Sequence, residues 1–255
     1  MIDPWTKKNI SVTLIGLMSC VPIVYSFYCF FCQKRLLLKI IGLFYFTLSI
    51  SINFETATRT PIVLMLIIFP IMAYEAYKSD ESPRKILRWF IVLIIILGAG
   101  NFLYHRVADS VLTERFLDER LETPRWEIMG VYLDHMWEYP WGGGFVQKNY
   151  HYMAHNMIQE LYDMYGFFFS VLFLIVLFGM VKRIIALFRI KKKNGLLLLV
   201  QGLYIGIIIQ SLLEPVVEGY PQLLWLLLMT DGVTVGILEK RQAASNQYLA
   251  WNRTC

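Results

Sequence analysis

Seven apolar stretches, near residues 10–32, 36–54, 61–77, 89–104, 166–181, 195–213 and 222–238, set the terms on which this chain can fold. Each is long enough, or nearly so, to cross a hydrocarbon layer about 30 Å thick, for which roughly 20 helical residues are needed. In lipid every backbone N–H and C=O has to find its partner within the segment, so such stretches are helices. Composition agrees: 57% of the residues are hydrophobic and only 17% charged, a balance outside that of soluble domains. The expected fold class is therefore all-α, a polytopic membrane helical bundle of about seven transmembrane helices, with residues 1–255 forming a single integral membrane domain. The shorter stretches must borrow Trp, Tyr and Lys residues at the interface.

Basic residues decide which way such a bundle faces, because Lys and Arg stay on the cytoplasmic side while acids matter little. With Met1 outside, the inner segments (Lys34 to Lys39, Lys78 to Arg88, Lys182 to Lys193, and the tail after Leu238) hold sixteen of the 24 basic residues. The outer segments hold eight, Lys7 and Lys8 among them, together with fourteen of the 19 acids. The net charge of +5 thus reports topology and implies no nucleic-acid partner. The expected orientation has the N-terminus outside and the C-terminus in the cytoplasm. No cleavable signal peptide is apparent, since the first apolar run is too long and lacks a small-residue cleavage site. Cys20, Cys29 and Cys32 lie within that run and read as small apolar packing residues rather than a disulfide framework.

Between the fourth and fifth stretches lies a polar segment, about 105–165, large enough to hold a site. Asp109 to Glu122 has charges at four-residue spacing, as a solvated helix would. Thr123 offers an N-cap and Pro124 a first-turn residue, predicting a second helix that runs to Glu138 before Pro140. On it Trp126, Met129, Gly130, Leu133 and Trp137 form a stripe suited to the membrane interface. Gly142 to Gly144 make a turn that lets backbone approach a ligand, moves as a lid, or simply connects. A third helix should begin near Ala154 and run into the fifth span, with His155 in its first turn and Gln159, Tyr162 and Asp163 on the same side. The inner loops are all short, too short for a nucleotide-sugar-binding domain, which argues against cytoplasmic activated donors.

Several residues in these segments could carry chemistry. Arg59, at the mouth of the third span, reads as an anion-binding guanidinium that grips phosphate bidentately, or as a partner of Glu55 or of a lipid headgroup. Arg125 invites the same reading. His155 can take a proton from a sugar hydroxyl near neutral pH, and a helix N-terminus would keep its imidazole uncharged; a structural histidine is the alternative. His151 and His155 have zinc-site spacing, but Tyr152 stands where a hydrolase needs Glu, and the remaining ligands, His135 and Glu160, lack convincing spacing. Asp231 lies within the last span, where a charge is paired or functional, and Glu214 and Glu218 flank the outer turn at Pro215.

The stretch from Arg125 to Leu174 resembles the signature loop of the bacterial O-antigen ligase and O-antigen polymerase superfamily. Arg125 and Trp126 are followed by Pro140, Trp141 and Gly142 to Gly144, then by His155 and Asn156, a nine-residue spacer and Gly166 entering an apolar span. Arg59, with Thr58 before it and a span after it, is similar to the arginine that the family keeps in its short outer loop. The resemblance implies a donor glycan on undecaprenyl diphosphate at the outer face of the bacterial cytoplasmic membrane. It also implies that Arg59 and Arg125 hold the diphosphate, that Asn156, Gly142 and Gly144 help to bind substrate, and that His155 deprotonates the acceptor. No metal and no cofactor are implied. The partners would be the lipid-linked glycan, an acceptor glycan or lipid-linked sugar, and membrane lipids. Fewer spans precede Arg59 than in members of the superfamily, so the chain is expected to lack upstream helices of the full-length family. Thr60 and Pro61 after Arg59 favour a polymerase of O-antigen, capsule or exopolysaccharide. The alternatives are a ligase transferring to lipid A core, protein or wall, and, in another class, a polysaccharide flippase or other transporter, which should show repeated halves and several mid-membrane charges.

Overall fold

The structure, a computed structural model, describes residues 16, 18–55, 60–79, 125–150, 154, 156–191, 193–214, 216 and 220–254, without the side chains of 54, 55, 125, 126 and 244–254. The expected span at 89–104, the start of that at 10–32 and the expected helix from Asp109 to Glu122 lie outside the described residues.

Every regular element among the described residues is helical: α1 Cys20–Cys32, α2 Leu36–Glu55, α3 Thr60–Ser79, α4 Arg125–His135, α5 Phe145–Tyr150, α6 Met157–Tyr165, α7 Phe167–Phe188, α8 Gly195–Leu213 and α9 Pro221–Thr254. Five of them (α2, α3, α7, α8 and the first 23 residues of α9) are long and apolar enough to cross a membrane, and α1 is a shorter apolar helix of 13 residues. The chain is thus a helical membrane protein. Local sequence explains several ends. Asn194 Oδ1 accepts from the Leu197 N–H at 2.9 Å, Pro61 sits in the first turn of α3, and Pro221 is the first residue of α9, the places where a cap and a missing N–H cost nothing. Pro70 lies inside α3, tolerated in a membrane helix where neighbours re-satisfy the freed carbonyl.

At the centre stands α8, packed on α1, α3 and α9. Its glycines let it in: a Cβ at Gly202 would come within 2.8 Å of Met72 Sδ and 2.9 Å of Val24 Cγ1, and one at Gly206 within 2.8 Å of Ile68 Cδ1 and 2.9 Å of Cys20 Sγ. The surrounding core is built from Cys20, Ile23, Val24, Leu64, Ile68 and Met72 against Tyr204, Ile207 and Ile208. Cys20 and Cys29 are buried free thiols, as a packing role requires.

Polar contacts close both ends of the bundle. At one end Lys193 bonds to Glu75 with both side chains buried; burial pulls the Lys193 ammonium below its ordinary range, and the Glu75 carboxylate acts against that shift. At the other, Asn53 Nδ2 donates to Ser19 Oγ at 3.0 Å and Gln210 Nε2 to the Gly16 carbonyl at 3.3 Å. The short helices α4, α5 and α6 are carried at this second end, called here the loop-bearing end. Mid-bundle, Arg183 of α7 grips Asp231 of α9 through Nε at 2.6 Å and Nη2 at 2.9 Å, and Tyr204 of α8 donates its hydroxyl to the same carboxylate. The expected charge within the last span is therefore a paired one.

Candidate functional site

Three helices begin at the positions singled out in the sequence. α3 starts at Thr60, directly after Arg59; α4 starts at Arg125; and α6 is capped by Asn156, directly after His155. The backbone N–H groups of a helix start are unpaired and its dipole end is positive, which suits an anion. Arg59 and His155 lie outside the described residues, as does the side chain of Arg125.

Two hydrogen bonds join the first and third of these helix starts through the turn that follows α8. The Thr60 hydroxyl donates to the buried Glu214 carboxylate. Two residues on, the Val216 N–H donates to Glu160 Oε2 at 2.8 Å, and Glu160, only 2% exposed, lies one helical turn after Asn156. Positions 60 and 156, nearly a hundred residues apart, are thereby tied to one short turn. In the sequence Glu160 reads only as a conceivable metal ligand; nothing in its spacing announces a hydrogen bond to Val216, 56 residues away.

Asn156 itself has a defined task. Its Oδ1 accepts from the Gln159 N–H at 2.9 Å, so its side-chain oxygen caps α6. The helix therefore begins at Met157, three residues later than the start expected near Ala154. Nor does this helix run into the next span. It stops at Tyr165, and Gly166 turns the chain at φ 89° because the Phe167 N–H is taken by the Pro140 carbonyl at 2.7 Å. A Cβ at position 166 would lie 2.8 Å from the Trp141 carbonyl carbon, so only glycine fits.

The glycine turn makes the matching approach from the other side. Gly142, Gly143 and Gly144 all have positive φ, between 69° and 84°. A Cβ at Gly142 would strike the Tyr162 carbonyl and the Gly166 nitrogen, and the Gly144 N–H donates to the Asp163 carbonyl at 2.6 Å. Asp163 Oδ1 further accepts from the Val146 N–H at 3.3 Å. These glycines thus bring backbone against the chain's own α6–α7 corner and lock the turn onto α6.

Of the expected stripe, Met129 and Leu133 on α4 and Trp137 just beyond its end are exposed, while Ile128 and Tyr132 pack with Val146 and Tyr162. The helix ends at His135, three residues earlier than its pattern suggested. Tyr162 donates its hydroxyl to the carbonyls of His135 and Tyr139, at 2.9 and 3.2 Å. Burial pushes that phenol above its usual range, with Asp163 and Glu138 adding to the effect. No family model, curated protein or solved structure matches the chain.

Proposed function

We propose that the chain is an inverting, metal-independent glycan transferase of the polymerase kind, moving an oligosaccharide from undecaprenyl diphosphate onto an acceptor hydroxyl at the outer face of the bacterial cytoplasmic membrane. On this reading the loop-bearing end faces outward. The observation that carries the reading is the link Thr60–Glu214 and Val216–Glu160, which ties the residues next to Arg59 and His155 to one turn.

The helix starts supply a second argument. A guanidinium next to a helix N-terminus is repelled by the dipole there, by roughly 0.3–1 kcal/mol when exposed. A bound diphosphate reverses the sign for both groups at once. For His155 the same dipole end disfavours imidazolium and keeps the ring ready to accept a proton. In the reaction, His155 takes the proton of the acceptor hydroxyl and the oxygen attacks the anomeric carbon from the face opposite the donor. The bond to the diphosphate oxygen breaks and the leaving group departs with the electron pair, its charge held by Arg59 and Arg125. The hydrogen-bonded glycine turn holds α6, the helix that follows the proton acceptor, still while this happens.

Replacing His155 with Ala tests the assignment. General-base catalysis is worth about 10²–10⁴-fold, so glycan assembly should fall at least a hundredfold in cells holding the variant at normal levels. Assembly continuing at the wild-type rate refutes the catalytic role. Purified protein supplied with lipid-linked repeat units alone should make a ladder; a ligase would not elongate them.

A further inference from the structure

The corner between α4 and α5 holds a group of side chains for which the transfer step has no use. Glu138 follows His135 by three residues, and its Oε2 lies 3.0 Å from His135 Nδ1. A carboxylate only accepts, so in the neutral ring Nδ1 bears the proton and Nε2 accepts. The Tyr150 hydroxyl, 2.7 Å from Nε2, is then its donor. Beside this relay, Tyr139 and Phe145 stack with ring centroids 3.6 Å apart and planes 15° from parallel, and the His135 ring lies 5.5 Å from Phe145. The Tyr162 hydroxyl holds the backbone underneath at both His135 and Tyr139, so the group is a fixed shelf. Its outer side is open: the Glu138 side chain is 63% exposed, and Tyr139 and Tyr150 are 40% and 41% exposed.

We propose that this shelf binds a sugar residue of the acceptor glycan, an inference that rests on the transferase reading for the identity of its ligand. An aromatic face carries negative quadrupole charge, and the C–H bonds on one side of a pyranose ring, polarised by their oxygens, are drawn to it. Sugar hydroxyls are donors that a carboxylate accepts in charge-assisted bonds, and Glu138, oriented by His135, offers one at the rim of the aromatic surface. A flat ring with a fixed carboxylate at its edge is the combination a sugar needs. The competing use of exposed aromatics, anchorage at the lipid interface, belongs to the neighbouring Trp137, whose ring lies 5.1 Å from Phe167 at the start of α7. A carboxylate would oppose anchorage among anionic headgroups.

The test uses the full chain in lipid nanodiscs and oligosaccharides released by mild acid from the lipid-linked glycans of the source membrane. Equilibrium dialysis reads sugar retention. The wild type should retain sugar, and Tyr139→Ala, Glu138→Gln and Tyr150→Phe should each retain at least tenfold less, with thermal transitions within a few degrees of the wild type. Glu138→Asp should recover part of the loss. The inference is overturned if the wild type retains no sugar or if the variants retain as much as it does. It is equally overturned if Tyr139→Ala weakens vesicle partition while leaving sugar retention intact. A protein that retains sugar but makes no ladder would remove the polymerase reading and leave the shelf standing.

Discussion

Helices α7 and α8 are both apolar enough to span a membrane, yet 17% of the first is buried in the protein and 61% of the second. From Val171 to Val181 α7 has no polar side chain, and Phe168, Leu172, Ile175 and Phe178 are exposed on its surface. By contrast α8 carries Gln201, Tyr204, Gln210 and Ser211, all buried. The helix with more polar groups is the one at the centre. Lipid exerts no hydrophobic pressure between spans, so interior position is decided by close packing of small residues and by hydrogen bonds that lipid cannot offer. Overall hydropathy measures compatibility with the membrane, while glycines and amides mark which helix the others surround.

The largest effect expected from this contrast comes from crowding α8. Gly206→Leu would force side-chain atoms into Ile68 and Cys20 and should cost about 3 kcal/mol or prevent folding, overpacking in dense cores being worth about 1–3 kcal/mol. Gly179→Leu on α7, where the nearest atoms to a Cβ belong to the flexible end of Arg183, at 3.4 Å, should cost much less. Reversible unfolding in mixed micelles measures both, and equal losses would erase the distinction between the two helices.

Next in size is the tie that holds the exposed helix to the bundle. Asp231→Ala leaves Arg183 without its carboxylate and Tyr204 without its acceptor, and should cost about 2–4 kcal/mol, since an orphaned buried charge is expensive. The pair is partly exposed, with 29% and 18% of the two side chains accessible, so the upper end of that range is not expected. The double change Arg183→Leu with Asp231→Leu should recover at least half of the loss, and no recovery would mean that the pair attracts more than it costs to desolvate.

The smallest effect has the opposite sign. Among the described residues both amide atoms of Gln201 lack a hydrogen-bond partner, although the side chain is buried. Gln201→Leu should raise stability by about 1 kcal/mol, because it removes an unpaired polar group at nearly constant volume. Lower stability in the same unfolding measurement would show that the amide is in use.

Much of the bundle could be read from residue order. The stretches at 36–54, 61–77, 195–213 and 222–238 became α2, α3, α8 and the first part of α9 with ends shifted by a few residues, because in lipid hydrophobic length and backbone self-satisfaction leave one solution per segment. The α6–α7 corner was less legible. Its apolar and polar pattern reads as one helix from Ala154 onward. The break at Gly166 appears only when Pro140 and Gly142 dock against it, a contact between segments more than twenty residues apart. Glu160 and Glu214 followed the same rule. Their charges were visible from the start, and their partners, the Val216 N–H and the Thr60 hydroxyl, were not.

Membrane residence and the spacing of spans needed only the order of amino acids, since both depend on local runs of apolar side chains. The centrality of α8, the pairing of Asp231 and the joining of two distant helix starts at one turn needed the folded chain. Those are choices of partner, and a partner is settled by shape and hydrogen-bond geometry across segments that no one-dimensional pattern records.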